Sequence, residues 1–370
     1  MWKKIVASDA ARKKAIRYIL LPLLILSALG LGGAALWKYV LDPWQALQSG
    51  EDWRVHFDGN RVNLLLLGFD RKASRDRYYK IYRPDTIMIA SINLREPDVA
   101  LVNIPRDSYV KINGTGGYDK INHAYMYGYF RKGVEDPDKS GVETVIKTIE
   151  DFLGGIPVHY YVRLDMDAVV EIIDRLGGFY YDVDIDVRAK TGRGRVLLKK
   201  GYQHLTGKDF MRYVRNRAVG GDLGRAKRQQ KIVIAAFRQL RRQGRLSELP
   251  GIYRTLNENV ETNLSARQIA ALALLGARID PGGIKTYVFP GEMQYAPRGS
   301  IDALNYWVID EAARVKLIRE VFGVRVARLP QQKLPGPRRP AGFPGKDKNK
   351  RLRDPFSTEP IPSDQRQRID

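Results

Sequence analysis

The chain has 370 residues, 44% of them hydrophobic and 10% aromatic, so it can build a core and is not disordered throughout. With no cysteine and four histidines it excludes disulfides, thiolate metal sites and a cysteine nucleophile, and leaves little room for a histidine-rich metal centre. Its 63 Lys and Arg against 41 Asp and Glu give a formal charge of +22, a balance that suits nucleic acid, an acidic membrane surface or an anionic substrate.

The charge is unevenly spread. Residues 1–17 hold six basic residues and one acid, for +5. The uncharged run Tyr18–Trp37 follows, and at 1.5 Å per residue it spans roughly 30 Å, the thickness of a bilayer core. Tyr18 and Trp37 sit where interfacial aromatics belong, and Pro22, Gly30, Gly32 and Gly33 are tolerated in a membrane helix. The run is too long for a cleaved signal peptide and no A-x-A site closes it. We read 1–17 as a cytoplasmic basic segment, 18–40 as one transmembrane helix and 41–60 as a linker. The basic flank keeps the N-terminus inside, which makes this a single-pass cell-membrane protein with its following domain extracellular.

From Val62 the pattern turns globular. VNLLLLGFD reads as a buried strand running into a loop, and residues 86–94 and 99–105 as two more, joined by a turn at Arg95–Asp98. GVETVIKTIEDFLGG has helical spacing and a Gly154–Gly155 stop. VHYYVRL, the helical DAVVEIIDRLGG and the alternating FYYDVDIDV come next, then a long basic amphipathic helix between Gly220 and Gly244. ARQIAALALLGA and EAARVKLIREVFG are later helices. Alternating strands and helices predict an α/β fold around one layered sheet, as a single domain over 61–323. Residues 324–370 carry +7, and eight prolines follow Leu329, so this segment reads as a basic, Pro-rich disordered tail. It is either simply solvated or adheres to an anionic wall or membrane surface. Only about +10 remains for the folded part.

Three strand ends carry paired acids and arginines: Asp70–Arg71, Arg83 with Asp85, and Arg106–Asp107. Strand ends at one rim of a sheet are where α/β proteins place sites. A denser cluster, residues 213–231, supplies Arg215, Arg217, Asp222, Arg225, Lys227, Arg228, Gln229 and Gln230. Gly220–Gly221 make the turn ahead of the long helix and Asp222 is expected to cap it. Arg225 and Gln229 share a face that continues as Ile232, Val233, Ala236 and Leu240, a polar mouth above an apolar wall. Many arginines with few aspartates, and no Cys or Ser–His nucleophile, point to phosphate rather than acyl chemistry. Paired aspartates suit Mg²⁺ and stabilise a transferring phosphoryl group. A basic mouth over an apolar wall suits a lipid phosphate.

The chain resembles the LytR-CpsA-Psr (LCP) family of cell-wall glycopolymer ligases. The resemblance rests on LLLLGFDR, RPDTIMIASIN, VALVNIPRDSYV, KINHAYMYG, VETVIKTIEDFLGGIPVHYYV, DRLGGFYYDV, LKKGYQHLTGKDFMRYVRNR and GDLGRAKRQQ, in order, with weaker similarity to about residue 323. It implies a three-layer α-β-α domain with a central mixed sheet behind the membrane helix. It implies transfer of an anionic glycopolymer of teichoic acid or capsule type from a polyprenyl-pyrophosphate carrier to the muramic acid 6-hydroxyl of peptidoglycan. Asp70 and Asp85 would hold Mg²⁺. Arg83, Arg106, Arg215, Arg217 and Arg225 would grip the pyrophosphate, with Lys120 as a further phosphate contact. Gln229 would sit at the head group and Asp222 would orient the arginines. Arg106 would meet transition-state charge, and either Asp85 or Asp107 would take the acceptor's proton. The family usually has Ser at Pro84, and the loop from Arg217 to Asp222 is short. The partners implied are the lipid-linked glycan, peptidoglycan and the membrane, with no nucleic acid. Three alternatives stay open: hydrolysis of the same lipid pyrophosphate, a DNA-binding attenuator, which would need residues 55–323 in the cytoplasm, and a non-catalytic lipid or glycan carrier.

Overall fold

Alternation along three neighbouring strands builds two apolar faces from one sheet. The computed structural model describes residues 47, 61–70, 83–96, 98–189, 194–217, 219–255, 260–295, 305–330 and 334. The expected cytoplasmic segment, transmembrane span, linker (save Leu47) and most of the tail lie outside the described residues. Among the described residues no helix is long and apolar enough to cross a membrane.

In chain order the strands and helices begin with β1 (Arg61–Phe69), β2 (Pro84–Asn93), β3 (Val99–Asn103), β4 (Tyr109–Lys111) and β5 (Tyr118–Lys120). Then come α1 (Ala124–Tyr129), α2 (Pro137–Phe152), β6 (Tyr160–Asp165) and α3 (Met166–Arg175). A smaller β unit follows, with β7 (Phe179–Val183), β8 (Val187–Arg188), β9 (Val196–Leu198) and β10 (Gly201–Leu205). The rest is α4 (Gly207–Val214), α5 (Gly221–Arg242), α6 (Leu249–Thr255), β11 (Val260–Thr262), α7 (Ala266–Arg278), β12 (Lys285–Val288), β13 (Gly291–Tyr295), β14 (Asn305–Ile309) and α8 (Glu311–Phe322). Helix starts follow their chemistry. Asp136 caps α2 ahead of Pro137, and capping boxes open α4 at Thr206–Asp209 and α7 at Ser265–Gln268.

The main sheet runs β11-β6-β1-β2-β3-β12. β2 is antiparallel to both β1 and β3, β6 is parallel to β1, and β12 is parallel to β3. Four strands therefore run one way and β2 and β11 the other, a mixed sheet. Leu65, Leu67, Phe69, Ile87, Ile89 and Val102 face α1, α2 and α8. The alternate residues Val62, Leu64, Leu66, Met88, Ala90 and Leu101 face α7 and, on α5, Ile234 and Phe237. Each Val, Leu, Ile, Phe or Met side chain among them, once fully buried, contributes about 1.5–3 kcal/mol. A separate small core joins β7, β10, α3 and α4 around Phe179, Val183, Leu205, Phe210 and Tyr213.

Candidate active site

Strand direction brings the charged clusters to one rim. Phe69 pairs with Pro84 across the β1–β2 ladder, so Asp70, after β1, and Arg83 and Asp85, at the start of β2, sit at the same edge. β3 ends there too: Met88 pairs with Asn103, and Ile104 N–H donates to the Ile87 carbonyl at 2.9 Å. Arg106 and Asp107 follow immediately.

The Arg106–Ser108 loop is fastened by its backbone. Asn122 N–H donates to the Arg106 carbonyl at 3.2 Å, Ile121 N–H to the Ser108 carbonyl at 2.8 Å, and Trp307 N–H to the Asp107 carbonyl at 2.8 Å. The side chains then form a chain of charges. Arg106 Nη1 donates to Asp85 Oδ1. Arg106 Nε faces Asp107 Oδ2 at 3.5 Å, and Lys120 Nζ donates to Asp107 Oδ1 at 2.8 Å. Burial raises the Asp107 carboxyl, but Lys120 and Arg106 outweigh it and hold the group below the usual carboxylate range.

A second chain starts at Arg83. Its Nη1 lies 2.7 Å from His123 Nε2, and His123 Nδ1 lies 2.9 Å from Asp119 Oδ2. Tyr127 donates its hydroxyl to the same Asp119 oxygen at 3.1 Å, and Lys120 N–H donates to Oδ1 at 2.7 Å. Burial pushes the Asp119 carboxyl up, and its neighbour His123 with these hydrogen bonds brings it below its ordinary value. Burial lowers the His123 pKa, against the pull of Asp119. Burial and the Arg106 charge hold the Arg83 guanidinium below its ordinary value, against the nearby aspartates.

The helix α5 closes the rim from one side. Gly220 and Gly221 take φ of 73° and 55°, a left-handed turn that side chains disfavour. That turn starts the helix at Gly221, so its N-cap is Gly220, a residue with no side chain to cap with. The expected Asp222 cap is corrected: Asp222 stands inside the first turn. Arg225 is buried and its Nη2 lies 3.5 Å from the Asp85 carbonyl. Arg215, at the end of α4, pairs with Asp70 Oδ2 at 2.9 Å, and Arg217 is exposed. Gln229 Nε2 reaches back to the Val214 carbonyl at 3.4 Å. Further along the same face Ile232 is wholly buried in the small core, Ala236 packs against that core, and Val233 and Leu240 are half-buried. The expected apolar wall is thus partly filled by the protein's own β7–β10 unit.

Four positioning side chains were assigned no role from the sequence. His123 and Asp119 stand behind Arg83. Arg228, buried, donates to the Val219 carbonyl at 2.9 Å and the Asn216 carbonyl at 2.6 Å, which shapes the loop bearing Arg217. Gln230, also buried, ties α5 to the sheet through the Leu101 carbonyl at 3.1 Å and the Tyr287 carbonyl at 2.7 Å. Arg228 and Gln230 stood in the basic cluster. Only their burial separates them from Lys227 beside them.

Chemically the rim concentrates guanidinium groups around two carboxylates on adjacent strand ends. Guanidinium forks match phosphate oxygens. Asp70 and Asp85 are oxygen donors of the kind Mg²⁺ takes. Among the described residues no group of three or more His, Cys, Asp or Glu is placed to hold a metal.

The model of the LytR_cpsA_psr family matches residues 45–323. TagU of Bacillus mycoides (strain KBAB4), named a polyisoprenyl-teichoic acid–peptidoglycan teichoic acid transferase, is 31% identical over 210 residues, or 56% of this chain and 62% of its own. TagV of Bacillus subtilis (strain 168), named for the same activity, is 27% identical over 301 residues, 73% of each chain. The chain thus spans about three-fifths of the length of the TagU relatives it matches. The crystal structure of B. subtilis TagV superimposes with a TM-score of 0.55 at 27% identity, covering 71% of this chain and 98% of TagV. TagT bound to LIIa-WTA superimposes at 0.54 with 26% identity, covering 75% and 99%.

Proposed function

The chain belongs to the LytR_cpsA_psr family, and from that premise we propose that it is a membrane-anchored phosphotransferase of the cell wall. It moves an anionic glycopolymer from a polyprenyl-pyrophosphate carrier to the 6-hydroxyl of muramic acid in peptidoglycan. The hydroxyl oxygen bonds to the glycan-bearing phosphorus, the bridging P–O bond breaks, and polyprenyl phosphate leaves with the electron pair. The observation that carries this reading is the convergence of Arg83, Arg106 and Arg225 around Asp85 at one sheet rim. Arg106 meets the charge that grows on the transferring phosphoryl group, and Arg215 and Arg217 bind the outer phosphate oxygens.

Both Asp107 oxygens face a cation, and its pKa is lowered, which makes it a weak base. We therefore assign Asp107 a positioning role for Arg106 and Lys120. Mg²⁺ held by Asp70 and Asp85 would supply charge neutralisation at the phosphate. The prenyl chain follows α5 past Val233 and Leu240, which are half-buried, rather than past the enclosed Ile232.

The direct test is product analysis. Full-length protein in detergent, given Mg²⁺, a lipid-linked glycan and a peptidoglycan oligomer, yields glycan covalently joined to the oligomer. Freed glycan phosphate alone would establish hydrolysis instead.

A further inference from the structure

His123 lies outside the arginine and carboxylate set and yet is only 1% exposed. An arginine carries only donors, so the 2.7 Å contact with Arg83 Nη1 makes His123 Nε2 an acceptor. Nε2 then bears no proton. The ring proton sits on Nδ1 and is accepted by Asp119 Oδ2 at 2.9 Å. Asp119 is itself held by Lys120 N–H and the Tyr127 hydroxyl, so the carboxylate cannot swing away without leaving buried donors unpaired.

We propose that His123 is a positioning residue for transfer: a neutral imidazole, locked in its Nδ1–H form by Asp119, that aims Arg83 at the substrate phosphate without neutralising it. What Arg83 grips rests on the function proposed above. A carboxylate in the same place would offset the charge of Arg83, as Asp85 does for Arg106. An imidazole takes the hydrogen bond and adds no negative charge to that of the nearby aspartates. The charged or titratable groups facing the ring are Arg83 ahead of β2, Asp107 after β3, Asp119 and Lys120 of β5, and, through Asp119, Tyr127 of α1. A proton on Nε2 would set a second cation against Arg83 and release it, so transfer falls on the acid side.

Three measurements on the full chain in detergent test this. The first is the ¹⁵N spectrum of histidine-labelled protein, with the His123 signal identified by its loss in His123→Phe. It shows a protonated Nδ1 and a bare Nε2, neutral below the pH at which an ordinary histidine titrates. The second is kinetics. His123→Phe lowers kcat/KM by about 10²-fold, the scale of a misaimed catalytic group. His123→Gln keeps an acceptor toward Arg83, stays within about tenfold of wild type and loses the acid limb of the pH profile. The third is affinity for geranylgeranyl pyrophosphate, which weakens in His123→Phe more than in His123→Gln.

A ring protonated on Nε2, or titrating as an ordinary histidine, would overturn the proposal. So would a folded His123→Phe with wild-type kinetics and affinity. If His123→Phe does not fold, the spectrum and the Gln variant decide. If the wild type transfers nothing, the proposed function fails, and the spectrum with the pyrophosphate affinities still decides the role of His123.

Discussion

Arg106 stands between two of the rim's three aspartates, with Nη1 on Asp85 and Nε facing Asp107. Its fork reaches both at once, which a lysine's single ammonium cannot do. Arg106→Ala is expected to lower the transfer rate by about 10²–10³-fold, the cost of one preorganised group facing developing charge. Arg106→Lys should recover little of it. The comparison is made by single-turnover transfer with thermal melting alongside, and a Lys variant near wild-type rate would show that charge alone suffices. Strand-end reasoning found Asp70, Arg83, Asp85, Arg106 and Asp107 because charged residues beside apolar runs stand out in a sequence. It passed over His123 and Asp119. A histidine four residues after an aspartate carries no mark of whether it lies on a surface turn or in the interior, and here the fold buries both.

At the scale of elements, the parallel β1–β6 pairing starts beside a half-buried histidine. Asn63 N–H donates to His159 Nδ1 at 3.0 Å, and His159 N–H donates to the Asn63 carbonyl at 3.0 Å. Burial pushes the His159 pKa down to about 4. A base with a lowered folded-state pKa is fully stabilising above its unfolded value of about 6.5, and that stability is lost as pH falls toward the folded value. His159 alone should therefore cost on the order of 3 kcal/mol of stability between pH 6.5 and about 4. Urea unfolding of the full chain in detergent at pH 7.5, 6 and 4.5 checks this, with His159→Gln flattening the slope. A slope unchanged in that variant would assign the acid loss elsewhere. Helical periodicity put Arg225 and Gln229 on one face of α5; Arg225 reaches the Asp85 carbonyl and Gln229 the Val214 carbonyl of α4. The same periodicity said nothing of Gln230, whose partners lie on β3 and β12, far away in the chain.

For the whole molecule, about +12 of the +22 charge belongs to the two ends. If the basic flank and the Tyr18–Trp37 run act as a signal anchor, the 61–323 domain works outside the cell, beside peptidoglycan. A reporter that is active only after export, fused after residue 323, should be active in cells, and the same fusion lacking residues 1–40 should be silent. Activity only of a cytoplasmic reporter would reverse the topology and revive the DNA-binding alternative.

The sequence by itself determined the apolar strands, the amphipathic helices and the residue types that phosphate demands, because these depend on local alternation, spacing and side-chain chemistry. Tertiary structure alone decided that β2 runs against β1 and β3. That reversal sets Arg83 and Asp85, at the start of one strand, against Asp70 and Arg106, at the ends of two others. Strand direction arises from pairing between segments distant in the chain. The rim is therefore assembled only when the sheet closes, with His123 and Asp119 buried behind it.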